Sequence, residues 1–214
     1  MLEPVVEIPR LKQKSAGKKS SDFSAEWPDF GILPEKARRF LESVFLLSPF
    51  LEDCARKEQE FTLELFELGF EVPCSQLIEN AGSLGIAERS EAELMQGLRV
   101  AKRRMALLCG LADLGGWWRD GEVTKALSDF AGACVSAALG HILLSQHHAG
   151  RFSLVDPANP ENGCGLVVLG MGKLGAGELR EAQTEPRVER VDLCRNRPSL
   201  AHLPDKVFHP IGYR

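Results

Sequence analysis

Apolar positions recur at steps of three and four along most of this chain, and that spacing predicts helix after helix. Pro34 stands where proline is tolerated, at the opening of a helix. Phe40, Leu41, Val44 and Phe45 then line one face, with Arg38, Arg39 and Glu42 on the other. Ser48-Pro49 breaks the pattern, and Phe50, Leu51 and Cys54 restart a short helix. Phe61, Leu63, Leu65, Phe66 and Leu68 form the next cluster. Its local alternation would suit a strand, but Glu58, Glu60, Glu64 and Glu67 favour helix. Gly69 and Pro73 are expected to close it.

The strongest pattern begins at Ser90. Ser90 and Glu93 have capping-box spacing, each able to satisfy a free N–H of the first turn. Leu94, Leu98, Ala101, Met105, Leu108 and Ala112 follow at helical steps until Gly115-Gly116. A second long helix is predicted from about Glu122 to His147, with an apolar stripe through Leu127, Phe130, Cys134, Ala138, Ile142 and Leu143. Ala131, Ala133, Ala137 and Ala138 leave room for another helix to approach closely. The short Gly-Gly-Trp117-Trp118 link predicts an antiparallel pair. Gly150 to Gly165 reads as a loop. Leu166 to Leu169 is a continuous apolar run, as in a strand covered on both faces. The fold expected is mainly α: a helical N-terminal region leading into an incomplete α/β element.

Residues 1–30 carry Lys12, Lys14, Lys18 and Lys19 among Ser and Gly, and only Val5, Val6, Ile8 and Leu11 as sizeable aliphatics. Such a segment buries too little surface to offset its ordering entropy and is expected to be a disordered leader. Across the 214 residues, 44% are hydrophobic and 26% charged, which is ordinary for a globular chain. The net charge of −4 supplies no basic field for nucleic acid. The six cysteines form no CxxC pair, so they read as reduced thiols of a cytosolic protein. No signal-peptide core is present, and no stretch is expected to cross a membrane. The expected setting is therefore cytoplasmic, without membrane or nucleic-acid partners.

Chemistry is concentrated after the apolar run. Gly170, Gly172, Lys173 and Gly175 make a glycine-rich turn that can aim backbone N–H groups, and one ammonium, at a phosphate. Gly170-x-Gly172-x-x-Gly175 after a strand is compatible with a dinucleotide fold, with Asp192 near the ribose-binding place. Gly177, Pro186 and the short remaining chain argue against it. A P-loop is excluded, because Leu174 stands where the magnesium-binding Ser or Thr belongs. Arg99, Lys102, Arg103 and Arg104 read as a solvated face with helix-crossing ion pairs, or as a patch for phosphate or an acidic partner. His141, His147 and His148 read as helix-end residues interacting with the dipole, since no further metal ligand is suitably spaced.

The stretch Leu169-Gly-Met-Gly-Lys-Leu-Gly-Ala-Gly-Glu-Leu179 resembles the signature of the glutamine synthetase adenylyltransferase/adenylyl-removing enzymes. Leu98-Arg-Val-Ala-Lys-Arg-Arg-Met105, followed by an alanine-rich helix, is similar to the lead-in of that family's N-terminal half. The resemblance covers about residues 34–179. It implies a cytoplasmic bacterial protein with nucleotidyltransferase domains that attach AMP from ATP to a tyrosine of glutamine synthetase, or remove it with phosphate. It also implies Mg²⁺ and regulation by a PII signalling protein. The organisation expected is a leader over 1–30, a helical region over 31–149, the start of a nucleotidyltransferase-like domain over 150–179, and a divergent, poorly ordered tail over 180–214.

The divergence falls at the family's metal pair. There, Gly-Glu-Leu is followed after a few residues by two serines and Asp-x-Asp, which grip the cations of phosphoryl transfer. Here the serine positions hold Ala182 and Gln183, and the aspartate positions hold Thr184 and Pro186. A frameshifted or truncated product, catalytically inert alone, is the expectation. A non-catalytic helical interaction module is the alternative.

Overall fold

A computed structural model of the chain describes residues 27–86 and 89–175. It is mainly α, as the periodicity predicts. A 3-10 turn at Pro28–Ile32 leads into α1 (Glu35–Leu47), α2 (Pro49–Lys57), α3 (Gln59–Leu68) and α4 (Glu71–Ser83). Two long helices follow, α5 (Glu91–Leu114) and α6 (Asp120–His148), and then a single turn, α7 (Gly172–Gly175). No strand occurs among the described residues.

Three boundaries differ from expectation. Trp27 and Phe30 were assigned to the leader, yet both are almost fully buried beside Leu33, with the two rings 5.3 Å apart. Two aromatics and a leucine at three-residue spacing are enough to seat this segment on the bundle. The rest of the leader and the 180–214 tail lie outside the described residues. Pro73 does not end a helix but sits in the first turn of α4, where its missing N–H is no loss. Behind it, Pro73, Cys74, Leu77 and Ala81 are buried at helical steps. The predicted strand at 166–169 is absent, for a reason that belongs to the site below.

Local signals otherwise act as read. Ser48 ends α1 and caps α2, accepting the Leu51 N–H at 3.3 Å, with Pro49 in the first turn. Gly69, at φ 91°, turns the chain from α3 to α4 in a conformation that a side chain would oppose. At α5, the Glu93 N–H donates to Ser90 Oγ at 3.3 Å and the Ser90 N–H donates to Glu93 Oε2 at 2.8 Å. The Ser90 hydroxyl and backbone hold the Glu93 carboxyl below the usual carboxylate range.

The link between α5 and α6 is an aromatic plug. Trp117 meets Phe40 and Phe66 edge-on at 5.4 and 5.8 Å and lies tilted over Phe70 at 4.8 Å. The Trp118 indole N–H donates to Glu71 Oε1 at 3.1 Å, tying the plug to the start of α4. The helices it joins are antiparallel: Leu94, Met95 and Leu98 from the first turns of α5 border the same groove as Ala138, Ile142 and Ser145 from the last turns of α6.

The alanines of α6 do admit a close neighbour, and it is the end of α4. A Cβ on Gly82 would touch that of Ala133 at 3.9 Å, and a Cβ on Gly85 would fall 2.1 Å from the Ala137 carbonyl oxygen. The Gly121–His148 stretch of α6 is long and apolar enough to span a membrane by composition, with mean hydropathy 1.5, contrary to expectation. Its packing against α4 and α5 makes it a bundle helix here.

A charge holds the other side together. Glu58, at the joint of α2 and α3, has a side chain only 4% exposed. It accepts Arg103 Nε–H at 2.8 Å and Arg104 Nε–H at 2.6 Å, both from α5. Thr62, also buried, donates its hydroxyl to the Glu58 carbonyl at 2.8 Å. Arg104 further lies 5.4 Å from the centroid of the Phe61 ring. The helix-crossing reading of the arginine cluster is therefore the one realised. The described cysteines are free, and burial, with Cys74 and Asp113 adding to it, pushes the Cys109 thiol up to about 12.

Two outcomes follow from these contacts. Gly85→Ala drives a methyl group into backbone and lowers stability by about 1–3 kcal/mol, whereas Gly132→Ala, with nothing within 4 Å, raises it by up to about 1 kcal/mol. Urea denaturation of both variants checks this opposition of sign. Glu58→Ala strands two guanidinium groups that keep some contact with water, and costs roughly 2 kcal/mol in the same assay.

Candidate functional site

The candidate site is the glycine turn, and the loop after α6 decides where it stands. Leu154 and Cys164 pack on Leu143, flanked by Leu139 and Leu144, so the loop doubles back along the last turns of α6. His147 anchors its start: the Leu154 N–H donates to His147 Nδ1 at 3.3 Å, with the Phe152 carbonyl oxygen equally near. The histidine expected to serve the helix end is here the post for this loop.

A second anchor comes from a side chain turning the backbone locally. Asp156 Oδ1 accepts the N–H groups of Ala158 and Asn159 at 3.0 and 3.3 Å, and Oδ2 accepts Asn159 Nδ2 at 2.8 Å. This is the Asx geometry that Asp favours before Pro and Asn. The Asn159 side chain, the Asn159 and Ala158 backbone, and the Asn162 side chain hold the Asp156 carboxyl below its ordinary 3.8. Burial raises the Glu161 carboxyl from its ordinary 4.5, an effect opposed by a hydrogen bond with Ser136 of α6.

From Cys164 the chain runs without regular structure to Met171 and then makes the one turn of α7. Leu166, Val167 and Leu169 are 50%, 47% and 59% exposed, so they are not a strand covered on both faces. A lone extended segment has no ladder for its N–H and C=O groups and no sheet to pack against. Among the described residues nothing supplies either.

Gly170 is half-buried, Gly172 is exposed, and Met171 between them is 84% exposed. Gly172 has φ 62° and Gly165 φ 76°, left-handed conformations that explain a glycine at both places although a Cβ would meet open space. The backbone of Lys173 and Gly175 belongs to α7. Gly172 therefore presents its main chain to solvent.

Among the described residues no group of three His, Cys, Asp or Glu is placed to hold a metal ion. Thr184 and Pro186, where the resemblance places the expected metal pair, lie outside the described residues.

The family model described as glutamate-ammonia ligase adenylyltransferase matches residues 39–182. The chain belongs to that family. Among its relatives, the bifunctional glutamine synthetase adenylyltransferase/adenylyl-removing enzyme of Rhizobium meliloti (strain 1021) is 45% identical over 145 residues, covering 65% of this chain and 15% of the relative. The protein of the same description from Bradyrhizobium sp. (strain ORS 278) is 42% identical over 143 residues, covering 67% of this chain and 14% of the relative. The chain thus spans about 15% of the length of these relatives. No solved structure matches it.

Sequence reasoning missed the Asp156 turn and the His147 anchor. The Asp-Pro-Ala-Asn order was the available signal for the first, whereas nothing local marks His147 as a loop post. The Asp156 bonds carry a pH signature. A depressed folded pKa contributes stability above the ordinary value and loses it as pH falls through the folded one. Amide exchange over 154–164 should therefore quicken as pH drops below 3.8, relative to the α5 amides. Asp156→Ala should make exchange there fast already at neutral pH.

Proposed function

We propose that this chain is the helical lead-in and phosphate turn of a module that handles AMP on glutamine synthetase. The observation that carries this reading is the family match, which runs through the bundle and into the glycine turn. The turn Gly170 to Gly175, with Lys173, offers backbone N–H groups and a positive charge to the phosphate of ATP or to inorganic phosphate. Glutamine synthetase is the protein partner, as the relatives' descriptions imply, and a PII signalling protein sets the direction of the reaction. The setting is the cytoplasm.

Thr184 and Pro186 leave the chain without the carboxylates that would hold Mg²⁺, so it binds phosphate but does not turn over alone. Transfer by the intact family chemistry is an in-line displacement in which cations neutralise the developing charge. Nothing in the helical bundle replaces that contribution. A second reading, a helical interaction module, is favoured by the open apolar groove between α5 and α6.

Titration with ATP, ADP and phosphate separates the two, because a ligand of the native state raises the melting temperature. The stabilisation is about 2.7 kcal/mol at a hundredfold excess over Kd. A rise that Lys173→Ala reduces supports the phosphate turn, and no rise with any ligand removes it. Release of AMP from adenylylated glutamine synthetase by the purified chain with Mg²⁺ would overturn the inactivity.

A further inference from the structure

His147 meets two groups of opposite kind with one atom. Its Nδ1 stands 3.3 Å from the Leu154 nitrogen, which carries a proton, and 3.3 Å from the Phe152 carbonyl oxygen, which does not. A bare Nδ1 accepts the Leu154 N–H and has nothing to give Phe152. A protonated Nδ1 donates to Phe152 and turns its hydrogen against that of Leu154. In neutral imidazole the proton can sit on Nε2 and leave Nδ1 bare, whereas imidazolium carries a proton on both nitrogens. Leu154 is only 7% exposed and lies outside any helix, so its N–H depends on this acceptor. Leaving it unmet is costly, which holds the neutral ring in the Nε2–H form.

The choice between the two loop contacts is thus a choice of charge state. It is made by the one kind of side chain whose ordinary titration falls between about pH 5 and 8. The ring is half-buried at the end of α6. His148 lies beside it, with ring centroids 5.7 Å apart. From the loop come Arg151, which donates to Gln146 Oε1 at 3.5 Å, and further along Asp156 and Glu161. From α5 comes Glu91, across the groove that Gln146 also lines. These groups set the field in which the ring titrates. The two backbone groups at Nδ1 set what its titration does.

We propose that His147 is a proton-read latch on the loop that leads to the glycine turn. Uncharged, it holds the Leu154 N–H; charged, it releases Leu154 and takes the Phe152 carbonyl instead. One hydrogen bond replaces another, so the hold moves two residues back along the loop while the bundle stays folded. The inference rests on the geometry at Nδ1 and is independent of whether the glycine turn binds phosphate.

The test titrates the full chain, labelled with nitrogen-15, from about pH 8 to pH 5. Nitrogen NMR reads the proton at each ring atom. Hydrogen exchange reads the Leu154 amide, as protection relative to an unstructured chain at the same pH. The expected result is a bare Nδ1 and a protonated Nε2 at the upper end. Leu154 protection then falls roughly three- to tenfold, as release of one hydrogen bond gives, with the same midpoint as the His147 ring. The α5 amides keep theirs. His147→Asn puts an amide oxygen near the place of Nδ1 and cannot charge, so Leu154 should stay protected at both ends of the range. His147→Ala should leave it unprotected at both. His148→Gln removes the neighbouring ring and should leave the Leu154 midpoint with His147.

A proton on Nδ1 already at the upper end overturns the proposal. So does Leu154 protection that does not follow the His147 ring, or a Leu154 titration that His147→Asn retains or His148→Gln abolishes. The first two readings come from the parent chain, so a variant that fails to fold does not leave the question open. The loosening set by Asp156 lies below pH 3.8 and is separate from this one. No nucleotide enters the titration, so the phosphate reading and the latch can fail independently.

Discussion

The approach of Gly85 to the backbone of Ala137 is the constraint on which the architecture turns. Two helices come this near only where both present small residues, and here Gly82 and Gly85 meet Ala133 and Ala137. Dispersion falls steeply with separation, so close contact of main chain with main chain gains what bulky side chains would otherwise supply. It also fixes the height of α6 against α4. Everything downstream hangs from α6: the His147 post, the Ser136 contact of Glu161, and the Leu143 seat of the loop. A shift of α6 would therefore move the loop that leads to the glycine turn.

Glu58 solves a different problem. The joint between α2 and α3 is only one residue long, and its carboxylate points inward. Burying that charge without partners would cost several kcal/mol. Two arginines from adjacent positions of α5 satisfy one carboxylate oxygen each, and both keep part of the guanidinium in water. The cluster leaves a net positive charge, so it sets the register of α5 against the α2–α3 corner more than it adds stability. That is the role for which buried ionic groups are best attested.

How legible this was from sequence depends on range. The ends of α1, α2 and α5 were readable because Ser48, Pro49, Ser90 and Glu93 act within one turn of themselves. The helix α4 was not read, because Pro73 looks like a terminator unless it is known to lie in a first turn. Trp27 and Phe30 were lost to the leader because their burial depends on a partner surface far along the chain. The arginine cluster offered two readings, and only the position of Glu58, forty-five residues from Arg103, decides between them. At the candidate site, the glycines of the turn were legible as backbone requirements and Gly172 carries one, at φ 62°. The strand before it was overread, since an apolar run reports what a segment can pair with and not whether the neighbour is present.

That last distinction bears on what this part of the polypeptide does. An apolar run in solvent beside a half-open groove is unfavourable for an isolated body, by roughly 25 cal/mol for each Å² left uncovered. Bundles usually bury such a stripe, and this one does bury Leu143, and partly Leu139, one residue away. The loop that packs on them is held by the Asp156 turn and the His147 post, and Ile142 stays exposed. The glycine turn is thereby tied to α6 through the few contacts, at Leu143 and His147, that lie beside the exposed stripe.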